Sequence, residues 1–465
     1  MERSQLTEGS IYKTVFFFSL PLLFGNILQS LNGTINSIWV GHYLGANAFA
    51  ATANVNNINF LVFSLTFGIA MASSIFVGQH YGAKRYDEAK RVIGTGFTFF
   101  VLFSLVVTGL SEVFAVNLLN LLHTPKSVMP YAVPYLRIFM VTVTFSNLYN
   151  FMTMVLRGTG DSKTPFYFLL ISVVIDTGMN PVLIFGLGPF PKMGITGSAT
   201  ATLSAQVISL ACLIFFLYRI QHPLSLRGKE FRYLRPSANI MKLMIQRGMS
   251  MGLQMLVVST SSMALINLVN TFGSTAVAAF SASMNVTNYI SMPAMAIGAS
   301  VSNICSQNVG ANQWDRVKRT FEAGLTYNLV MTGALAGLVY LFNRDVLHLF
   351  VTEPSVVALG MHVNDITAWS FILFGVMNII VSTVRSTGAV LFPLLISFAS
   401  LWLIRIPLSY ILAYHSGIDW IWWSFPMSFF VSDILLLAYY LQGGWKRIKL
   451  HDLYEPQKVE ESFSG

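Results

Sequence analysis

The sequence repeats itself at a fixed offset of 228 residues, so that Gln79 returns as Gln307. The repeated elements are Gln79-x-x-Gly82-Ala83 with Gln307-x-x-Gly310-Ala311, Arg157-x-Thr159-Gly160 with Arg385-x-Thr387-Gly388, Gly45 with Gly273, and Pro165 with Pro393. Because one offset holds over this whole stretch, the two copies have loops of matching length. The chain is therefore predicted to fold as two similar units.

The composition predicts a membrane protein. Hydrophobic residues make up 54% of the chain and charged residues only 10%, whereas soluble domains carry about 25% charged residues. Apolar stretches long enough to span a bilayer recur along the sequence. The predicted spans are 13–41, 48–78, 92–119, 130–156, 165–187, 196–219, 243–270, 276–305, 320–342, 360–384, 392–414 and 420–441.

The spans are too long for barrel strands and lack strand-like alternation, which predicts an all-α membrane protein with twelve transmembrane helices. The offset assigns six helices to each copy. An even number gives both copies the same orientation, with the pseudo-symmetry axis along the membrane normal. Duplication of this kind in a membrane protein is typical of transporters.

The distribution of lysine and arginine predicts how the protein is oriented in the membrane. All of them fall at one predicted side of the membrane except Lys126, Arg137, Lys192, Arg344 and Arg405. The positive-inside rule makes this side cytoplasmic, with both termini there and the protein in the plasma (inner) membrane. The formal net charge of +9 follows from the same loops, and a nucleic-acid partner is not needed to explain it.

The predicted domain organisation follows from the repeat and the polar segments. It comprises an N-terminal lobe (1–220, helices 1–6), a cytoplasmic inter-lobe linker (221–240), a C-terminal lobe (241–445, helices 7–12) and a cytoplasmic tail (446–465).

Several motifs in order resemble the multidrug and toxic compound extrusion (MATE) family. They are SLPLLFGNILQ in the first span, VGQHYGAKRYDEAKR at 77–91, LRGTGDSKTP at 156–165, DTGMNPVLIFGLG at 176–188 and GITGSATAT at 194–202. The resemblance covers essentially the whole chain. It implies two six-helix lobes around a central cleft, and export of organic compounds coupled to H⁺ or Na⁺.

The chain departs from the family pattern where coupling chemistry is expected. Members commonly carry an Asp in the first span where this sequence has Asn36. The fifth span of members usually reads Asn and then Asp four residues on, whereas here Asp176 precedes Asn180. The transfer of the coupling residues from the family is therefore less direct than the transfer of the fold.

Asp176 is the leading candidate for ion or proton coupling. It lies about three turns into the fifth span, where a charged group is costly and points to function. Asn180 lies one turn further on the same face, and Gln29, Asn32 and Asn36 form a polar stripe on the first span. A lone carboxylate among neutral amides suits a proton or Na⁺. The alternative is an interhelical hydrogen-bond cluster with no role in coupling.

Polar residues elsewhere in the spans are candidates for substrate binding. They are Asn147, Asn150, Asn285, Asp365, Asn378, Arg405 and Asp433. The repeat mate of Asp176 is Ile404 and that of Asn36 is Ala264, so the ion site is expected in the N-terminal lobe only. Two interpretations of Arg405 and Asp433 remain open, namely a structural ion pair and a role in coupling or substrate binding.

The sequence contains no P-loop, HExxH or GxSxG motif, so neither an ATPase nor another enzyme is predicted. The predicted function is secondary efflux of mainly cationic organic compounds by a monomer. No cofactor is expected apart from the coupling ion, and membrane lipid is the expected surrounding. One alternative is a flippase for lipid-linked or other anionic substrates, which should carry several cations in its cleft. Another is a channel or membrane-embedded receptor.

Overall fold

A computed structural model of the protein describes residues 6–448. Arg3 and the predicted tail beyond residue 448 lie outside the described residues. The first copy forms six long helices: α1 Ile11–Leu44, α2 Ala46–Gly82, α3 Tyr86–Leu121, α4 Met129–Gly158, α5 Lys163–Phe185 and α6 Ile195–Arg219.

The second copy begins after a short 3₁₀ helix, Gly228–Leu234. Its helices are α7 Ala238–Asn270, α8 Ser274–Gly310, α9 Trp314–Leu341, α10 Asn343–His348, α11 Pro354–Thr367, α12 Ser370–Arg385, α13 Leu391–Phe398, α14 Ile406–Ser416 and α15 Asp419–Gln442. A π-helical segment, Ala399–Arg405, joins α13 to α14. Each predicted span corresponds to one helix or to one interrupted helix, which confirms the all-α fold of twelve spans.

Interruptions distinguish the second copy. α11 and α12 form one span that bends by 45° at the break, and the π-helical segment interrupts the next span. Within the described residues, ten helices are apolar and long enough to cross a membrane, or eleven with the bent pair. α8 fails this criterion because it is rich in Ser and Asn. Most of α8 is buried against other helices, so its polar side chains avoid lipid.

Backbone geometry repeats together with the sequence. The turn between the first two helices uses Gly45 at φ 87°, and Gly273 has φ 93° at the matching turn. Lys84 and Asn312 both adopt the left-handed region, with φ 60° and 58°. The non-helical residue Phe114 inside α3 corresponds to Phe342, where the second copy breaks between α9 and α10. The duplication is thus preserved in the backbone as well as in the sequence.

One of the places where the two copies meet is the crossing of α2 and α8, at the end of the bundle formed by loops 83–85 and 311–313; we call this end the basic end. Gln79 Nε2 donates to the backbone oxygen of Ser386 at 2.7 Å, and Gln307 Nε2 donates to that of Gly158 at 2.8 Å. Both pairs of partners are related by the repeat offset. The helices approach so closely that a Cβ at Gly82 would lie 1.9 Å from the Gln307 carbonyl oxygen.

The segment between the copies packs against α3. Lys90 Nζ and Glu230 Oε1 form an ion pair at 2.5 Å, and Thr98 Oγ1 donates to the Leu234 carbonyl at 2.7 Å. The Lys90 ammonium hydrogen-bonds the Glu230 carboxylate and lowers the pKa of that carboxyl below its usual 4.5. These contacts fix the 3₁₀ helix to the basic end of the first copy.

Candidate functional site

α5 places Asp176 deep within the first copy. The residue is 13 positions into a helix that begins at Lys163, which corresponds to about 20 Å of helix rise. α5 packs between α1 and α6, and this packing leaves Asp176 only 2% exposed. A carboxylate at this depth requires partners that replace water.

Four neutral side chains from three helices donate to the Asp176 carboxylate. One carboxylate oxygen, Oδ2, accepts from Asn32 Nδ2 at 2.8 Å and from Asn36 Nδ2 at 2.9 Å. The other oxygen, Oδ1, accepts from Thr202 Oγ1 at 3.0 Å and from Asn180 Nδ2 at 3.2 Å. None of the ion pairs found in residues 6–448 includes Asp176. The acid is therefore solvated by dipoles and is not neutralised by a basic side chain.

The amides around Asp176 also bind each other. Asn180 Nδ2 lies 2.8 Å from Asn36 Oδ1, and Thr177 Oγ1 donates to Asn32 Oδ1 at 3.3 Å. Asn180 Oδ1 is buried and has no hydrogen-bond partner among the described residues. This oxygen and the carboxylate give the site acceptor capacity that its own donors do not use.

The helical stripe predicted on α1 reaches the acid only in part. Asn32 and Asn36 are one turn apart and both bind Asp176, as expected. Gln29 is exposed, and no hydrogen bond joins it to Asp176 in the described structure. Although it lies only one turn before Asn32, its side chain is exposed and stays outside the hydrogen-bond cluster.

Thr202 also binds Asp176, although it is not among the site residues that the sequence predicts. It belongs to the GITGSATAT motif at the start of α6, and its hydroxyl closes the site from that helix. The signal was present, because a hydroxyl in a motif next to the acid-bearing helix is a natural partner for a buried carboxylate.

The remaining asparagine candidates bind neighbouring backbone or hydroxyl groups. Asn147 Nδ2 donates to Ser104 Oγ at 3.1 Å, Asn150 to the Ser146 carbonyl at 2.9 Å, Asn378 to the Ala294 carbonyl at 2.9 Å, and Asn285 to the Ser281 carbonyl at 3.1 Å. None of them hydrogen-bonds Asp176. Their role in substrate binding stays a prediction.

The charged candidates of the second copy have three different environments. Asp365 is exposed, and its Oδ1 accepts from Asn343 Nδ2 at 2.9 Å. Both carboxylate oxygens of Asp433 are buried without a hydrogen-bond partner in residues 6–448. Arg405 is 5% exposed and donates through Nε to Ser428 Oγ at 2.8 Å. Arg405 and Asp433 form no ion pair with each other among the described residues, so the pairing interpretation is wrong: Arg405 turns toward Ser428 and two aromatic rings.

Two equivalent bundles of apolar helices and a buried, unneutralised carboxylate are the features of a secondary membrane transporter. The family model described as MatE matches residues 21–182 and 250–411, once in each copy. The chain belongs to this family of multidrug and toxic compound extrusion proteins. It is an integral, multi-pass membrane transporter and not an enzyme.

Individual relatives agree with this placement. The chain is 37% identical over 451 residues to the probable multidrug resistance protein YoeA of Bacillus subtilis (strain 168), covering 97% of both chains. It is 25% identical to an FAD transporter of Shewanella oneidensis, covering 95% of this chain and 96% of the relative. A crystal structure of MATE in complex with MaD3S matches with a TM-score of 0.88 at 18% identity, over 96% and 99% of the two chains.

Proposed function

We propose that this efflux transporter exchanges small organic, mainly cationic compounds for inward H⁺ or Na⁺, and that Asp176 is its coupling residue. The observation that carries the proposal is a carboxylate only 2% exposed that has four neutral donors and no basic partner in residues 6–448. Such a group takes up a positive charge more readily than one already neutralised by lysine or arginine.

The donor set is compatible with either coupling ion. Na⁺ is a hard cation that binds oxygen ligands, and the carboxylate and the unpartnered Asn180 Oδ1 are oxygens of this kind. A proton on Asp176 would convert an acceptor into a donor, and one of the four donors would then lose its partner. In both cases the hydrogen bonds of the site must rearrange when the ion binds.

α1 links this rearrangement at Asp176 to the second copy. Asn32 and Asn36 of α1 both donate to the same carboxylate oxygen, so a proton at Oδ2 displaces a bond between α1 and α5. α1 also packs against α8 and α9 of the second copy. Ion binding at Asp176 can therefore alter the relative position of the two copies, as alternating access requires.

The substrate class and orientation follow from charge and from the relatives. A site that offers acceptors and a carboxylate favours organic cations, and YoeA is named a probable multidrug resistance protein. From the positive-inside rule and the basic loops, we infer that both termini lie in the cytoplasm and that the protein lies in the inner membrane. The candidates Asn147, Asn150, Asn285, Asp365, Asn378 and Asp433 are the residues to test for cargo binding.

The test is ethidium efflux from vesicles with Na⁺ and pH gradients imposed separately. Asp176→Asn keeps the shape of the side chain and much of its hydrogen bonding but removes titration and charge. It should abolish gradient-driven efflux while leaving folding near normal. Asp345→Asn, which alters an exposed acid on the short helix α10, is the matched control and should transport like the parent.

The gradient that drives efflux in the parent identifies the coupling ion. If Asp176→Asn transports like the parent under both gradients, Asp176 is structural. Coupling would then be sought at Asp433 or Asp365.

A flippase for lipid-linked or other anionic substrates is the alternative function. It requires several cationic side chains facing the cargo, whereas the buried site in the first copy is acidic. Efflux driven by neither gradient, together with transfer of an anionic lipid between leaflets, would favour the flippase.

A further inference from the structure

Arg405 is a buried cation inside the second copy. It ends the π-helical segment and is only 5% exposed. Its guanidinium carbon lies 4.4 Å from the Phe425 ring centroid and 4.7 Å from that of Phe429, so two aromatic faces of α15 hold it in place. The position is fixed further by the hydrogen bond from Nε to Ser428.

The guanidinium has donor capacity that the protein does not use. Its Nη2 is buried and has no hydrogen-bond partner among the described residues, and no ion pair found there includes Arg405. Aromatic faces stabilise a cation but cannot accept its hydrogen bonds as an anion does. A guanidinium left without a counter-charge at this depth is strongly unfavourable.

Other unpartnered donors lie on the same elements. Within residues 6–448, Ser400 Oγ is buried without a hydrogen-bond partner, one i→i+5 turn before Arg405 in the π-helical segment. Trp422 Nε1 on α15 is likewise buried without a partner in this range, and the Trp422 ring stacks on Phe280, which also contacts Phe425. The second copy thus presents a buried guanidinium and further hydrogen-bond donors on these elements, and α15 also carries the buried carboxylate of Asp433.

Repeat symmetry relates the locations of Asp176 in the first copy and Arg405 in the second. Ile404 is the mate of Asp176, so Arg405 is the next residue along the equivalent span. Asp176 contacts Thr202 across the α5–α6 interface, and Arg405 contacts Ser428 across the interface of the corresponding spans. Neighbouring positions of the corresponding spans therefore carry opposite charges, Asp176 in the first copy and Arg405 in the second.

We propose that Arg405 is the centre of a binding site for one anionic group, either chloride or the carboxylate or phosphate of a transported compound. Arg405 Nη2 supplies the charge-assisted hydrogen bond, and the Ser400 hydroxyl and the Trp422 indole N–H are candidates for further donors from the same elements. Binding of the anion does not depend on transport. The role of a cargo group rests on the efflux function proposed above, and it would extend the cargo to zwitterions.

The test measures equilibrium binding of radiolabelled chloride to the purified full-length protein in nanodiscs, with gluconate as the replacing anion. Benzoate and phenyl phosphate serve as competitors. The parent should show one saturable site, and Arg405→Gln should weaken it by about tenfold or more because the charged donor is removed. Arg344→Gln changes an exposed arginine of α10 and should leave binding unchanged.

The competitors distinguish the two sources of the anion. Displacement of chloride by benzoate or phenyl phosphate assigns the site to a cargo group, and chloride binding without displacement assigns it to a resident inorganic anion. The absence of saturable binding of any probe to the parent, or equal binding by Arg405→Gln, overturns the proposal. If Arg405→Gln does not fold, Ser428→Ala provides the test, and chloride affinity equal to the parent's overturns it. Since binding needs no gradient, these results are independent of the Asp176 efflux assay.

Discussion

Removal of the two glutamine side chains at the crossing of α2 and α8 should open the basic end of the transporter. Gln79 and Gln307 are buried, and each binds a backbone carbonyl of the opposite copy. The acceptors, Ser386 and Gly158, lie at helix C-termini, where carbonyls have no partner within their own helix. These reciprocal bonds stabilise the arrangement in which the basic end is closed.

The size of the effect follows from the number of bonds. A hydrogen bond between membrane helices contributes about 0.6 kcal/mol on average and up to about 1.7 kcal/mol, so the pair contributes about 1–3 kcal/mol. A difference of about 1.4 kcal/mol changes an equilibrium constant tenfold. The double variant Gln79→Ala/Gln307→Ala should therefore shift the ratio of open to closed molecules by roughly tenfold.

Spin-label distance measurements can detect this shift. Labels at Asp87→Cys and Asp315→Cys occupy exposed, repeat-related positions at the start of α3 and α9. Cys212 is replaced by Ala because it is exposed, whereas Cys305 is buried. The population at long distance should grow in the double variant and stay at the parent level in Gln246→Ala, which alters an exposed glutamine of α7.

The close approach of α2 and α8 also predicts the effect of a substitution at Gly82. Its added Cβ would lie 1.9 Å from the carbonyl oxygen of Gln307, a backbone atom that cannot move aside alone. Gly82→Ala should therefore disfavour the closed arrangement without touching either glutamine. If the label distances of both variants match those of the parent, the crossing does not hold the basic end closed.

Two further predictions concern the first copy. Asn36→Asp in the Asp176→Asn background restores an acid to the same cluster, and we expect partial recovery of gradient-driven ethidium efflux; no recovery would mean that the position of the acid matters. The ion pair of Lys90 with Glu230 should stabilise the packing of the 3₁₀ helix Gly228–Leu234 against α3 from neutral pH down to acid conditions. Because the carboxyl pKa is lowered, this contribution is present above the usual value of 4.5 and lost as the pH falls through the lowered pKa, whereas Glu230→Gln lacks it at all pH values. Hydrogen exchange of residues 228–234, corrected for intrinsic rates, should show less protection in Glu230→Gln than in the parent at neutral pH, and the difference should vanish as the pH falls through the lowered pKa.

Sequence periodicity predicts those parts of the fold and site that depend on the internal repeat or on a single helix face. The offset of 228 residues identified two copies, and the four-residue spacings of Asn32 with Asn36 and of Asp176 with Asn180 brought the right faces together. Neither periodicity nor motif order states how two helices cross. The Gln79 and Gln307 motifs were recognised as repeat markers, but their reciprocal contacts depend on the packing of α2 against α8.

Side-chain direction explains the other differences between the sequence predictions and the structure. Gln29 lies one turn before Asn32 on α1, but its side chain is exposed and does not bind the acid. Arg405 and Asp433 have opposite charges in neighbouring spans, and only the packed structure shows that Arg405 turns to Ser428 and the rings of Phe425 and Phe429. Charge complementarity in a sequence gives possible partners, and side-chain direction selects among them.

The crossing of α2 and α8 allows a stricter test, because the two copies carry different residues at position 78 and its repeat mate. Gly78 corresponds to Ser306, and a Cβ at Gly78 would lie 2.3 Å from Ser306 Oγ. Space near the pseudo-symmetry axis therefore admits one of the two side chains. Gly78→Ser should open the basic end in the spin-label assay, and the exchanged pair Gly78→Ser/Ser306→Gly should close it again, since exchange reproduces the same contact from the other copy. Ser306→Gly alone, which only removes a side chain, is the control and should stay closed. If the exchanged pair remains as open as Gly78→Ser, the two sides of the crossing are not equivalent and steric exclusion at the axis does not explain the glycine.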